Sequence, residues 1–109
     1  MISVMCVVQE GQISTEVQFA LRAAISAFTQ RAFAAAADID WIVVPKGSGF
    51  TAAAPSTAMI ASMHANRRLK SGERTALLRE LGDICMEKTG LSPNEIVTSI
   101  RDPQSTESL

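Results

Sequence analysis

Metal-ligating residues are scarce in this 109-residue chain, which has 1 histidine and 2 cysteines. Cys6 and Cys85 stand far apart and form no paired-cysteine metal or redox motif. They read as reduced, buried thiols acting as small hydrophobes. The lone imidazole, His64, has no companions to complete a zinc site. No metal and no cofactor is expected. Charge of one sign is missing as well: 10 basic and 11 acidic residues leave a formal net charge of -1. That balance supplies no footprint for nucleic acid or an anionic membrane. Long hydrophobic runs are absent. The apolar opening, Met1–Val8, is too short for a bilayer and has neither a basic flank nor a small-residue cleavage site. A cytoplasmic protein is the expectation. Glycines are few, and Gly47 and Gly49 follow Pro45 and open no helix, so they form no phosphate loop.

What is present is a 47% hydrophobic content, enough for one core in a chain of one domain's length. The run Ile2–Val8 is rich in Val and Ile and reads as a strand. Gly11 closes it and Ser14 offers an N-cap. Val17, Leu21, Ala24, Ile25, Phe28 and Ala32 recur at helical spacing, predicting a helix over Thr15–Phe33. A second strand follows at Ile39–Val44, then a glycine-containing turn and a soft linker, Thr51–Ser56. The order repeats: a strand over Thr57–Ala65, a basic loop Asn66–Lys70, an N-cap at Ser71 and a helix over Gly72–Thr89. Gly90 ends that helix, Ser92–Glu95 makes one capped turn, and Ile96–Arg101 is the last strand.

Caps, helices and strands of the two halves keep one offset of about 57 residues, the pattern of a tandem duplication. The fold class is therefore α/β, an α+β sandwich of two tandem β-α-β units. It has four strands in a mixed sheet and two helices on one face. Residues 1–109 form a single domain: 1–50 the first unit, 57–103 the second and 104–109 a polar tail. Two helices cover only one sheet face, yet the strands are apolar on both. Other copies of the chain are the expected cover, with the tail running along a neighbour.

Three stretches carry a family resemblance: the opening strand through Gly11 and Ser14, the turn Lys46-Gly47 with Phe50, and Thr89-Gly90-Leu91-Ser92-Pro93-Asn94-Glu95-Ile96-Val97. In these the chain resembles the fused, trimeric branch of the tautomerase superfamily. That branch includes malonate semialdehyde decarboxylase, the chloroacrylic acid dehalogenases and macrophage migration inhibitory factor. The resemblance implies a homotrimer and a small carboxylic acid ligand, a 2-oxo or enol acid. It also implies a catalytic amino-terminal proline, and here the chain departs from the pattern. It begins Met1-Ile2, and Ile2 takes the proline's place. The α-amine of Met1 is then the acid/base candidate, with an unperturbed pKa of ~7.7–8.0. Displacing such a base by ~1 Å can cost ~10²-fold in rate, so proline-type tautomerase activity is expected to be weak or absent.

The resemblance also nominates the other site residues. Arg67 would bind the substrate carboxylate, accompanied by Arg68 or Lys70, since guanidinium offers a bidentate fork and lysine a point charge. Asp38 matches a catalytic acid near the second strand. Ile2, Phe50 and His64 would line the substrate pocket. Trp41, Met59 and Met63 read as core.

Overall fold

The computed structural model describes residues 1–45, 50–51, 54–55 and 58–103, the short segments 50–51 and 54–55 by their backbone. β1, Ile2–Gln9, is the strand on which the others assemble. It pairs in parallel with β2, Ala37–Val44, with Ile2 opposite Ala37. On its other side it pairs antiparallel with β5, Met59–His64, with Val4 opposite Met63. β6, Ile96–Arg101, joins β5 in parallel. The result is a 4-stranded mixed sheet in the order β2-β1-β5-β6. The expected soft linker contains two very short strands, β3 (Phe50–Thr51) and β4 (Ala54–Pro55), paired antiparallel apart from the main sheet. Two residues per strand leave no alternation for a sequence to display.

Period-2 alternation on β1 sends Ile2, Val4, Cys6 and Val8 into the core, none more than 2% exposed. Helices α1 (Thr15–Phe33) and α2 (Ser71–Thr89) lie over this face. Leu21, Ile25 and Phe28 from α1 and Leu81 and Cys85 from α2 fill the space between the layers, all at 0% exposure. Phe28 and Phe33 meet edge to face with centroids 6.3 Å apart. Met59 and Met63 are fully buried core residues, and Trp41 packs partly buried against the same core. An ion pair from Arg31 to Glu80 joins the helices at the surface.

The helix ends differ in how they are satisfied. Ser14 Oγ accepts from the Val17 amide at 3.1 Å and caps α1. Ser71, expected to cap α2, is instead its first helical residue; Lys70 holds the cap position and makes no side-chain cap bond. α2 stops at Gly90 with φ 75°, the left-handed geometry glycine tolerates. α1 stops in the same geometry at an alanine, Ala34, φ 52°. The duplication is real in topology but not gapless. Ile2 pairs with Ala37 in the first unit, whereas its counterpart Met59 pairs with Ile96 in the second. That is a shift of two residues against the sequence offset, and an even shift keeps every side chain on its own face.

Two stability tests follow. Phe28→Ala removes a fully buried ring and should cost about 3–5 kcal/mol in urea denaturation. Ala34→Gly relieves the left-handed alanine and should stabilise by up to about 1 kcal/mol.

Candidate functional site

The sheet face away from the helices carries a graded surface, and the strand registers sort it into rows. At one end Ile42, Val7, Ile60 and Val97 run across all four strands. Of these, Ile42 is 41% and Val97 51% exposed. The middle row is Asp40, Met5, Ser62 and Ser99, where Ser99 Oγ donates to Ser62 Oγ at 2.9 Å. At the other end Asp38 pairs with Ser3 and His64 with Arg101. Continuing the β1–β5 register by one residue brings Ser3 opposite His64. The bare face is thus apolar at one end and charged at the other.

Met1 stands at the charged end, 84% exposed. Ile2 does not line a pocket there. Its side chain is 0% exposed and its amide donates to the Ala36 carbonyl at 2.8 Å. The physical reason is the strand's alternation, which assigns even positions of β1 to the helix-covered core. Continuing the β1–β5 register further sets Met1 opposite Asn66, where the basic loop begins. That loop is fastened to the end of α1: Asn66 Nδ2 donates to the Phe33 carbonyl at 3.1 Å. Its far end is held by Asp102, whose carboxylate accepts from the Leu69 amide at 3.3 Å and from Arg74.

Arg67 is engaged on all sides. Its guanidinium makes a bidentate pair with Glu73, both contacts 2.9 Å, and donates to the Ala32 carbonyl at 3.1 Å. It also lies over the Phe33 ring, 5.6 Å from the centroid. The hydrogen bonds from Arg67 hold the Glu73 carboxyl below the usual carboxylate range, with Lys70 adding to the effect. Arg68 is exposed and has no carboxylate partner among the described residues. Asp38 and His64 are exposed on the bare face. Phe50 begins β3, and its side chain lies outside what is described, as do Lys46-Gly47 and the tail 104–109. Glu73 as the partner of Arg67 was not foreseen. The pair spans a loop–helix junction, where no periodicity reports proximity. Arg101 was missed although the alternation of Ile96–Arg101 puts it in line with Val97 and Ser99, a legible signal.

Both cysteines are free and at 0% exposure. Burial, with Cys85 nearby, pushes the Cys6 thiol up to about 12. Burial alone lifts Cys85 to about 11. No group of three or more metal-ligating side chains occurs among the described residues. No helix among them is long and apolar enough to cross a membrane.

The geometry defines a two-layer sandwich of duplicated β-α-β units with an open sheet face. No protein-family model matches the sequence, and no curated protein matches it. Solved structures do match. Native Ps01740 aligns over 98% of both chains at 23% identity with a TM-score of 0.86. Q0, a fused 4-OT described as a symmetric trimer, aligns over 95% of this chain and 87% of its own at 13% identity, TM-score 0.82. N1, a member of the cis-3-chloroacrylic acid dehalogenase family, aligns over 96% and 77% at 14% identity, TM-score 0.82. This chain has the fold of the fused 4-OT and cis-3-chloroacrylic acid dehalogenase family structures.

The thiols give a pH test. A thiol whose folded pKa is raised favours the folded state below its unfolded value, and that stability is lost as pH rises towards the folded value. The urea midpoint should therefore fall from pH 9.0, the ordinary value, towards 11 and 12. Cys6→Ala/Cys85→Ala should flatten that alkaline slope. A slope unchanged in the double variant would assign it to other groups.

Proposed function

We propose that this chain binds or converts a small 2-oxo or enol carboxylic acid as a homotrimer, with the α-amine of Met1 near the place where the family resemblance implies a prolyl amine. The carrying observation is the position of Met1. It is exposed just before β1, and extending the β1–β5 register past Val4 would set it near the start of the basic loop. A primary amine there can exchange a proton with an enol acid or condense with a carbonyl. Asp38 is the carboxylate on the same end of the sheet, and His64 and Phe50 are its proposed neighbours at the ligand. Arg68 is the cation best placed for the ligand carboxylate, with Lys70 beside it. Arg67 serves only if the ligand displaces Glu73, an exchange between solvent-exposed partners that costs little. Ile2 contributes its place in the strand, not its surface. The fused 4-OT structures described as trimers and the bare sheet face support the assembly. Free, buried thiols fit a cytoplasmic protein.

One observation favours a second reading, a non-catalytic binding or scaffold trimer. The residue in the proline's place, Ile2, offers an internal peptide nitrogen already committed to Ala36, and no free amine.

A screen of small unsaturated and 2-oxo acids, by ultraviolet absorbance and by thermal shift, separates the readings once intact mass has shown Met1 present. Absorbance change with Met1 intact supports conversion. Thermal stabilisation without turnover supports the scaffold reading. Arg68→Ala should weaken binding about tenfold, the scale of one charge-assisted hydrogen bond. Loss in Arg67→Ala instead, with gain in Glu73→Gln, would assign the carboxylate to Arg67. Neither shift nor turnover with any acid in the screen would sink both readings.

A further inference from the structure

The basic loop leaves the sheet and returns to it at one place, the end of β6. Ala65, just before the loop, donates its amide to the Arg101 carbonyl at 2.7 Å. Leu69, near the loop's far end, donates its amide to the carboxylate of the next residue along, Asp102, at 3.3 Å, and its side chain is buried. Asp102 also accepts from Arg74, near the start of α2, and a second guanidinium nitrogen of Arg74 donates to the Ile100 carbonyl. One carboxylate therefore ties together the loop, the last strand and α2. Of the cations on this stretch, Arg67 is paired with Glu73 and Arg74 with Asp102. Arg68 and Lys70 have no carboxylate at ion-pair distance among the described residues. These two flank Leu69, the residue whose amide Asp102 holds.

We propose that Asp102 is a positioning residue for anion binding: by holding the Leu69 amide it fixes the backbone from which Arg68 and Lys70 reach a ligand carboxylate, without touching the ligand itself. This rests on the preceding reading, in which a small carboxylic acid binds at the loop. The backbone at Arg68 is held on both sides. Arg67 before it is bound to Glu73 and to the Ala32 carbonyl, and Leu69 after it is bound to Asp102. A guanidinium carried on a fixed backbone loses less freedom on binding than one on a loop that must first be ordered. A carboxylate placed beside an anion site would by its charge alone repel the anion. Arg74 offsets that charge, which leaves the hydrogen bond to the loop as what Asp102 contributes. Arg74 belongs to the same clasp: its planar fork serves Ile100 and Asp102 at once, a geometry that a lysine ammonium does not reproduce.

The test titrates pyruvate and phenylpyruvate, two 2-oxo acids, by calorimetry, with urea denaturation as the folding control. Asp102→Ala removes charge and hydrogen bond together and should weaken binding about threefold to tenfold, the scale of one side chain that must be ordered anew. Asp102→Ser falls short of the Leu69 amide, should weaken binding likewise, and carries the test if the alanine variant does not fold. Asp102→Asn removes the charge but keeps an oxygen that accepts from Leu69, and should recover most of the loss. Charge acting alone predicts the opposite order, with all three variants binding more tightly than the parent. In an Arg68→Ala background, Asp102→Ala should change affinity by no more than about twofold, since the group it aims is gone, while its effect on the urea midpoint persists. Binding that is unchanged or tighter in folded Asp102→Ala, with Arg68→Ala still weakening it, would overturn the positioning role and leave the ligand reading standing. A folded parent that binds neither acid would overturn both.

Discussion

β1 is paired on both sides and covered on one face, and the rest of the molecule is arranged to satisfy it. Its ladder groups are taken up by β2 on one flank and β5 on the other. Its even-numbered side chains are the floor of the helix-covered core. That leaves the odd-numbered side chains, Ser3, Met5 and Val7, on the bare face, with Met5 41% exposed. A central strand normally buries both faces when its sequence is as apolar as this one. Two helices exhaust what the described residues offer as cover. The uncovered half of β1 is therefore the feature on which the proposed assembly rests. The charged end of the same face carries Asp38 on β2 and His64 and Arg101 on β5 and β6.

Much of this was legible in the sequence. The α1 boundaries, the Ser14 cap, the Gly90 stop and the four main strands follow from period and punctuation. Those signals arise within a few residues of the structure they specify. The burial of both cysteines was legible too, because each sits on the apolar phase of its element. What failed to show depends on through-space neighbours. Ser71 has the chemistry of a cap, but the helix starts one residue earlier and its backbone at Lys70 takes the cap position. The two-residue slip between the sequence repeat and the β6 register is likewise invisible, since an even slip leaves the alternation unchanged.

The basic loop shows why a cluster of cations is a poor guide to which one is free. The family resemblance points to Arg67. Folding gives it a carboxylate, a carbonyl and an aromatic ring. With those contacts it fastens the loop to α1 and to the start of α2. Arg68, its neighbour in sequence, is left without an opposite charge among the described residues. A ligand carboxylate arriving at this loop meets one guanidinium whose hydrogen bonds are satisfied and one whose donors face water. Binding at Arg68 replaces only water. Binding at Arg67 must also leave Glu73, in the first turn of α2, without its guanidinium. Glu73 there still faces the positive helix end and Lys70, so its charge is not stranded. The exchange is affordable, but it would loosen the attachment that holds the loop in place.

The same reasoning applies to the amino terminus. A prolyl amine at position 2 would be fixed by its ring and by the strand that follows. The amine of Met1 is attached through an extra residue whose own torsions are free at 84% exposure. In the proposed reading its reach towards a ligand would be greater and its aim poorer, and rate depends on aim more steeply than on reach. Ile2 meanwhile gains what a proline within the chain would forfeit: an amide that donates to Ala36 and a side chain that helps fill the core. Ile2 is therefore the residue that secures the first rung of the β1–β2 ladder. Placing a proline there without releasing Met1 would remove that hydrogen bond and supply no amine in return. The nitrogen at position 2 can serve the ladder or act as a free amine but not both, and here it donates to Ala36.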